Sequence, residues 1–200
     1  MVNKLAYEHE CPFDVLVLTF VDTHLDIYYK LGLTPNMITT ISIIFGILAA
    51  YLIMQDNFFL AGLCILIAYY LDCVDGKLAR KYNMITKFGD YYDHFGDAFK
   101  FIIVIGALFN SSVAINLTHL LFIAILFGLA CMVCVHLGYQ ERIYDNKNKS
   151  ETSSFSLFKL FTIFDSNPKN TIRYTRYFGC GTLILSFILI IILWDKINGK

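Results

Sequence analysis

Five aspartates lie within residues 71–100, between two apolar segments of the chain. They are Asp72, Asp75, Asp90, Asp93 and Asp97. Carboxylates beside a hydrocarbon core cost free energy, so acids in such a position mark functional sites by default. Asp72 and Asp75 are three residues apart, which places both side chains on one helical face. Asp93 and Asp97 are four residues apart, with the same consequence. If the segment between the pairs makes a tight return, the pairs converge and repel each other unless cations hold them.

The ligand that such a carboxylate cluster favours is a hard divalent cation, Mg²⁺ first. An EF-hand loop is excluded, because it needs acids at its first, third and fifth positions. Asp90 is expected in the first turn of a helix, where the helix dipole favours a negative charge. His94 is expected to support a neighbouring carboxylate rather than to react.

The order of residues around the aspartates is more specific than their number. From Asp72 the chain has the pattern D-x-x-D-G-x-x-A-R, then eight residues, then G-x-x-x-D-x-x-x-D. The fixed positions are Asp72, Asp75, Gly76, Ala79, Arg80, Gly89, Asp93 and Asp97. This pattern resembles the signature of the CDP-alcohol phosphotransferase family, which are integral membrane enzymes of phospholipid synthesis. The match is tight within residues 71–100 and looser in the segment 34–39.

The resemblance implies an activity and a set of residue roles. An alcohol attacks the phosphoryl group of a CDP-linked donor, which releases CMP and forms a phosphodiester. The implied metal ligands are Asp72, Asp75 and Asp93, with Asp97 as general base and further metal ligand. The implied residues for the CDP moiety are Gly76, Ala79, Arg80 and Gly89. The implied cofactor is Mg²⁺ or Mn²⁺, as two ions, and the implied assembly is a homodimer.

The acceptor alcohol is left open between two branches of that family. The sequence Gly76-Lys77-x-Ala79-Arg80 and the pair Asp93-His94 are similar to the choline and ethanolamine phosphotransferases, which use diacylglycerol. The short chain is more similar to the enzymes that use CDP-diacylglycerol. A basic patch is a candidate site for a phosphorylated acceptor, with ordinary flanking charge as the alternative. Its members are Arg142, Lys169, Arg173 and Arg176.

Two other classes of protein are possible for a membrane chain with clustered acids. In a transporter or channel the aspartates would bind a permeating cation, and in a membrane scaffold they would have no catalytic role. Neither class requires Gly76, Ala79, Arg80 and Gly89 at these spacings. Ion flux would identify the first class, and metal-dependent CMP release would exclude both.

The composition predicts an all-α, polytopic membrane helix bundle forming one domain over residues 1–200. Of the 200 residues, 57% are hydrophobic, which is too high for an ordinary soluble domain. The formal net charge is zero, so the charge balance gives no support to nucleic-acid binding.

Apolar runs predict five spans, at residues 37–55, 58–74, 90–109, 113–138 and 177–194. An apolar island at 155–164 is too short to cross a bilayer alone, so the count is five or six. Residues 12–31 carry several charges and predict an amphipathic helix in the membrane interface. Pro35 suits the first turn of the following helix.

Basic residues predict the orientation of the chain. Of sixteen lysines and arginines, five lie within 77–100 and seven within 142–176, and five spans place both segments on one side. The turns near residues 56 and 110 have none. By the positive-inside rule, the aspartate motif faces the cytoplasm.

Overall fold

The computed structural model describes residues 7–147 and 167–196, and this part of the chain contains α-helices and 3₁₀ turns but no β-strand. The helices are α1 (Pro12–Lys30), α2 (Pro35–Met54), α3 (Phe58–Lys81), α4 (Lys87–Phe109), α5 (Leu117–Lys147), α6 (Pro168–Thr175) and α7 (Cys180–Ile192). Single 3₁₀ turns occur at Tyr7–His9 and Arg176–Phe178. The prediction of an all-α bundle is confirmed.

Two threonines begin the helices that enter the site. Thr34 caps α2, where its side chain accepts a hydrogen bond from the backbone N–H of Met37, and Pro35 occupies the first turn as predicted. Thr86 caps α4 by accepting from the backbone N–H of Gly89 at 2.9 Å. These caps satisfy N–H groups that no helical carbonyl reaches.

The return between α3 and α4 is short, because α3 continues further than predicted. The prediction that this span ends at residue 74 is wrong: α3 runs to Lys81 and carries Gly76 inside the helix. Arg80 and Lys81 favour the extension, since cations stabilise the last turn of a helix. The chain then reverses through Asn83, whose φ of 55° lies in the left-handed region.

Helix α2 lies at the centre of the site half of the bundle, where it packs along both α3 and α4. Helix α7 covers α3, and α5 packs against α6 and α7. Buried side chains of α2, α3, α4, α5 and α7 form one apolar core at the end distant from the aspartates. The pairing of α2 with α3 and α4 brings the two halves of the aspartate motif together.

Helix α1 is amphipathic and packs against α3 and α7. Val17, Val21 and Leu25 recur every four residues and are all buried. On the α3 side, the fully buried ammonium of Lys77 donates to the carbonyl of Leu18 at 3.0 Å and pairs with Asp22. Lys77 follows the predicted end of this span at residue 74, but it lies within α3 and fixes α1 to the bundle.

Within the described residues, four helical segments are long and apolar enough to cross a membrane. They are Pro35–Met54, Phe58–Lys81, Leu117–Gln140 and Pro168–Ile192. Helix α4 has 23 residues and was predicted to span, but the charged residues of the site lower its apolar character. The chain is therefore an integral membrane protein with several crossings.

The end of α5 and the beginning of α6 lie together, because Ile172 packs on Tyr139 and Ile143. The apolar island at 155–164 lies outside the described residues. The predicted choice between five and six spans therefore stays open. The contact at Ile172 places α6 and the C-terminal part of α5 on the same side of the bundle.

Candidate active site

Three of the predicted metal ligands converge where α3 and α4 face each other. One carboxylate oxygen from each of Asp72, Asp75 and Asp93 lies within 4.8 Å of the other two. Asp75 is 3% exposed, and its Oδ2 accepts a hydrogen bond from Thr39 of α2 at 2.6 Å. The i, i+3 spacing in α3 and the short return to α4 produce this convergence, as the sequence predicted.

Asp97 lies at the edge of this group and is paired with a lysine. Its Oδ1 is 2.9 Å from the ammonium of Lys100, one turn further along α4, and its side chain is 52% exposed. Lys100 also donates to Asp72 Oδ1 at 2.9 Å and to Ser42 Oγ of α2 at 2.8 Å. Asp72 is therefore common to the three-carboxylate group and to the lysine group.

The three-carboxylate group is suited to a divalent metal ion. Besides the proximity of the oxygens, Asp93 Oδ1 is buried and has no hydrogen-bond partner among the described residues. A buried carboxylate oxygen without a partner carries a large desolvation cost, which a cation would remove. Oxygen ligands of this type match Mg²⁺ and Mn²⁺. The residues present thus fit the implied cofactor, although the identity and number of ions are open.

A polar cavity of about 230 Å³ extends from Asp75 and Asp93 toward the return between α3 and α4. All four residues that the resemblance implies for the CDP moiety line it: Gly76, Ala79, Arg80 and Gly89. Pro35, Asn36 and Thr39 of α2 close the opposite wall. A cavity with carboxylates at one end and a guanidinium on its wall is suited to a phosphorylated ligand with bound cations.

The glycines of the motif leave room for particular side chains. A Cβ at Gly76 would lie 3.3 Å from a terminal nitrogen of Arg80, so the guanidinium packs over the Gly76 backbone. A Cβ at Gly89 would lie 3.0 Å from Asn36 Oδ1, where α4 approaches α2 closely. Gly76 therefore keeps the Arg80 side chain near the aspartates, in addition to leaving backbone accessible to a ligand.

A second, larger cavity of about 410 Å³ begins on the other side of the aspartates. Asp72, Asp97 and Lys100 line one part of it. The remainder is almost wholly apolar and is formed by side chains of α3, α4, α5 and α7, among them Ile65, Val104, Val133, Leu183 and Phe187. The aspartate group thus separates a polar cavity from an apolar one.

The predicted acceptor-phosphate patch lies elsewhere. Lys169, Arg173 and Arg176 follow one another along α6 and the 3₁₀ turn after it, and Arg142 lies on the neighbouring α5. None of the four lines either cavity described above. The Arg176 guanidinium donates to the backbone carbonyl of Glu8 at 2.5 Å, so this cation is used in holding the N-terminal segment. A role for the patch in acceptor binding stays a prediction.

Two other polar residues of α4 are not part of the carboxylate group. His94 is exposed, and its Nδ1 lies 2.7 Å from the backbone carbonyl of Asp90. Asp90 lies in the first turn of α4, as predicted, and its side chain contributes to the polar cavity. His94 Nδ1 also lies 3.9 Å from Asp90 Oδ1, one turn back along α4. The expected support of a carboxylate by His94 stays a prediction.

Four residues of the site were not singled out from the sequence. Thr39, Ser42 and Gly46 lie on one face of α2 and contact Asp75 or Lys100. Lys100 itself was counted only as one of several basic residues. A signal for Lys100 exists in the sequence, because it follows Asp97 by three residues and is the last charged residue before the apolar second half of α4. Nothing in the sequence pairs it with Ser42.

Comparison with known proteins identifies the family to which the motif belongs. The family model for CDP-alcohol phosphatidyltransferases matches residues 32–196. This chain belongs to that family. The match covers α2 to α7 and includes every residue of the aspartate motif, so the likeness to the family extends well beyond residues 71–100.

Individual relatives match shorter stretches. Archaetidylinositol phosphate synthase of Pyrococcus horikoshii is 39% identical over 64 residues, 32% of this chain and 34% of that protein. CDP-diacylglycerol–serine O-phosphatidyltransferase of Bacillus subtilis is 35% identical over 100 residues, 50% of this chain and 55% of that protein. CDP-diacylglycerol–inositol 3-phosphatidyltransferase of Drosophila melanogaster is 35% identical over 63 residues, 32% of this chain and 28% of that protein. The chain thus matches less than two thirds of each relative's length. No solved structure matches the chain.

Proposed function

We propose that this protein is a membrane transferase that moves a phosphatidyl-type group from CDP-diacylglycerol, or a similar CDP-linked lipid, to an alcohol and releases CMP. The observation that carries the proposal is the position of the carboxylates between two unlike cavities. A CDP-linked lipid has a charged nucleotide at one end and apolar chains at the other. The polar cavity suits the nucleotide end, and the apolar cavity suits the chains, with the pyrophosphate beside Asp72, Asp75 and Asp93.

The residues of the chain divide the work of this reaction. Arg80 donates hydrogen bonds to phosphate oxygens as a fixed cation, and Gly76 gives its guanidinium the space to do so. Asp97, half exposed and facing the larger cavity, accepts the proton of the attacking alcohol. The alcohol oxygen then bonds to the phosphorus as the bond to the CMP oxygen breaks.

Asp72, Asp75 and Asp93 would hold the divalent metal ion, Mg²⁺ or Mn²⁺. When bound, the ion neutralises the pyrophosphate and helps to align the displacement. Thr39 fixes one oxygen of Asp75 and so orients that ligand. The roles of Gly76, Ala79 and Gly89 are to line the nucleotide cavity without filling it.

The relatives favour the CDP-diacylglycerol branch over the choline and ethanolamine branch. Two of the three named relatives carry CDP-diacylglycerol in their names, with serine and inositol as the other partners. The apolar cavity is compatible with either branch, because each handles a diacylglycerol unit. The acceptor alcohol is therefore the part of the reaction that an assay must identify.

The position of Arg80 disfavours the transporter interpretation. A fixed guanidinium on the wall of the polar cavity, beside the aspartates, would repel a permeating cation. A bound phosphate would instead be attracted to it. We also propose that the end of the bundle bearing the aspartates faces the cytoplasm, since the basic residues are concentrated there. Cytoplasmic access suits a nucleotide-activated donor.

The test is CMP release by the purified protein in lipid nanodiscs. CDP-diacylglycerol is offered with serine, inositol, inositol phosphate or glycerol 3-phosphate, and CDP-choline or CDP-ethanolamine is offered with diacylglycerol. We expect turnover with CDP-diacylglycerol and one acceptor, lost in the presence of chelator. Turnover with only CDP-choline or CDP-ethanolamine would replace the proposed donor. Cation flux into sealed liposomes that contain the same protein, without CMP release from any pair, would contradict the transferase.

A further inference from the structure

Lys100 has a prepared position among the aspartates. Its ammonium meets three oxygens: Ser42 Oγ at 2.8 Å, and Asp72 Oδ1 and Asp97 Oδ1 at 2.9 Å each. A lysine ammonium has three N–H donors, so this set of acceptors uses all of them. Ser42 is completely buried and donates its own proton to the carbonyl of Ala68 at 2.9 Å. The Ser42 oxygen is thereby turned toward Lys100 as an acceptor.

The stem of Lys100 is accommodated by a glycine on the facing helix. A Cβ built at Gly46 of α2 would lie 2.6 Å from Lys100 Cγ and 3.2 Å from both Cβ and Cδ. These distances are too short for any residue larger than glycine unless the lysine moves. The lysine side chain is 13% exposed. The ammonium is thus held in one place by Ser42, Asp72 and Asp97, and the space beside Gly46 accommodates the rest of the side chain.

The aspartates therefore face two centres of positive charge rather than one. Asp72, Asp75 and Asp93 form the group suited to a metal ion. The buried Oδ1 of Asp93 has no hydrogen-bond partner among the described residues. Asp72 and Asp97 share the ammonium of Lys100. A second divalent ion between Asp72 and Asp97 would occupy the space of that ammonium. The second ion and the Lys100 ammonium would repel each other strongly, because only Asp72 and Asp97 lie between them to balance both charges.

We propose that Lys100 replaces the second metal ion, so that each chain binds a single divalent ion at Asp72, Asp75 and Asp93. This inference rests on the proposed function for its metal site, and it changes the expectation of two ions. The ammonium supplies the positive charge beside Asp97 that a second ion would otherwise supply. Lys100 acts as a positioning residue, because it holds Asp97 at the boundary between the two cavities.

The experiment counts Mn²⁺ bound to the purified protein in lipid nanodiscs, by equilibrium dialysis with electron paramagnetic resonance. We expect one Mn²⁺ per chain in the wild type, with a signal free of Mn²⁺–Mn²⁺ coupling. Lys100→Met removes the charge at similar length and raises the count to two, with coupling. Lys100→Arg keeps the charge and leaves the count at one. Lys81→Met is the matched control, since Lys81 pairs with Asp26 away from the aspartate motif.

Two coupled ions in the wild type, or one ion in both the wild type and Lys100→Met, would overturn the proposal. If Lys100→Met does not fold, the wild-type count and its coupling decide alone. No bound ion in the wild type would overturn the three-carboxylate site as well. CMP release measured on the same samples separates the two claims: one ion without turnover would retain this inference and remove the transferase.

Discussion

At the residue scale, the four motif aspartates differ in which carboxylate oxygens are already hydrogen-bonded within the protein. Asp93 has a buried Oδ1 without a hydrogen-bond partner in the described part of the chain, whereas Asp75 is oriented by Thr39. Asp97 is the most exposed of the four motif aspartates and is held by Lys100. The four acids of the motif are therefore unequal, and substitutions at each should differ in what they remove.

Asp93→Asn is expected to abolish high-affinity metal binding, because it replaces a charged ligand oxygen by a weaker neutral one. Loss of an outer partner of a metal ligand costs roughly 10- to 100-fold in affinity, and loss of the ligand should cost more than that. The measurement is Mn²⁺ affinity in nanodiscs. Asp195→Asn is the matched control, because Asp195 is exposed beyond the end of α7. Equal affinities in the two variants would remove Asp93 from the metal site.

Thr39→Val is expected to weaken metal binding by roughly 10- to 100-fold, because the hydroxyl that orients Asp75 is lost while the shape is kept. Thr39→Ser retains the hydroxyl and should restore most of the affinity. The apparent Mg²⁺ requirement of CMP release measures the effect in both variants. A merely structural role for Thr39 would lower the amount of folded protein without changing that requirement.

Much of the site at this scale was predictable from the sequence, and the reason is the spacing. The i, i+3 and i, i+4 pairs of aspartates are local, and the motif that surrounds them is long. The partners on α2 were not predictable, because Thr39 and Ser42 reach the motif only through packing between helices. Lys100 was missed for the same reason, since its neighbour Gly46 lies in another helix.

At the scale of elements, the approach of α2 to α4 decides where Lys100 can lie. Gly46→Ala is expected to lower the free energy of unfolding by about 1–3 kcal/mol, as overpacking does, because the new Cβ meets the lysine stem. Gly106→Ala on α4 is the control, since nothing lies within 4 Å of its Cβ position. That change should stabilise the helix by about 0.5–1 kcal/mol. Thermal unfolding in detergent measures both, and equal shifts would mean that Gly46 is not in close contact.

Helix α1 is joined to α3 and α7 through Asp14. The hydroxyl of Tyr69 donates to this carboxylate, and the backbone of Gly181 lies beside it. Burial raises the pKa of Asp14 above 3.8, although the hydrogen bonds from Tyr69 and Gly181 oppose the rise. Because the folded protein holds the proton more tightly than the unfolded chain, ionisation of Asp14 disfavours folding.

Asp14→Asn is therefore expected to gain stability over the wild type as pH rises. Below pH 3.8 both side chains are neutral, so the two proteins should be similar. The difference should appear from pH 3.8 upward and level off once the pH exceeds the raised pKa of the folded protein. Thermal unfolding across this range measures it. A difference that is constant with pH would contradict the raised pKa.

Sequence patterns predicted the helices well and their ends less well. The glycine and the charged residues after position 74 favoured a loop between two spans, but α3 continues to Lys81. One tertiary contact and one contact within the helix stabilise the extension: Lys77 is buried against α1, and the Arg80 guanidinium packs over Gly76 one turn earlier in α3. The extension matters for function, because it places Gly76, Ala79 and Arg80 on one helix that forms a wall of the polar cavity.

At the scale of the whole molecule, the aspartates and the polar cavity lie at one end of the bundle, the cavity end, and the apolar core extends to the other, the core end. The motif aspartates and most of the basic residues in the described part of the chain lie at the cavity end, where α2 begins and α3 ends. The short connections at residues 55–57 and 110–116 lie at the opposite end. Composition predicted this polarity, since the turns near residues 56 and 110 carry no lysine or arginine.

The orientation can be tested by labelling with a membrane-impermeant maleimide. In a background without cysteine, Gln55→Cys marks the core end and Lys87→Cys marks the cavity end, and both positions are exposed. We expect Gln55→Cys to react in intact cells and Lys87→Cys to react only after permeabilisation. The reverse pattern would place the site outside the cytoplasm, and reaction of both in intact cells would show an open or damaged membrane.

The claim on which the account depends is that the aspartates form a metal-dependent site for transfer from a CDP-linked lipid. The most direct measurement is single-turnover release of CMP from CDP-diacylglycerol in nanodiscs, with the acceptor that the panel identifies. We expect release in Mg²⁺, none after chelation, and recovery when Mg²⁺ is returned. Asp97→Asn should still bind the donor but release CMP far more slowly. Release that persists in chelator, or that is unchanged in Asp97→Asn, would contradict the account.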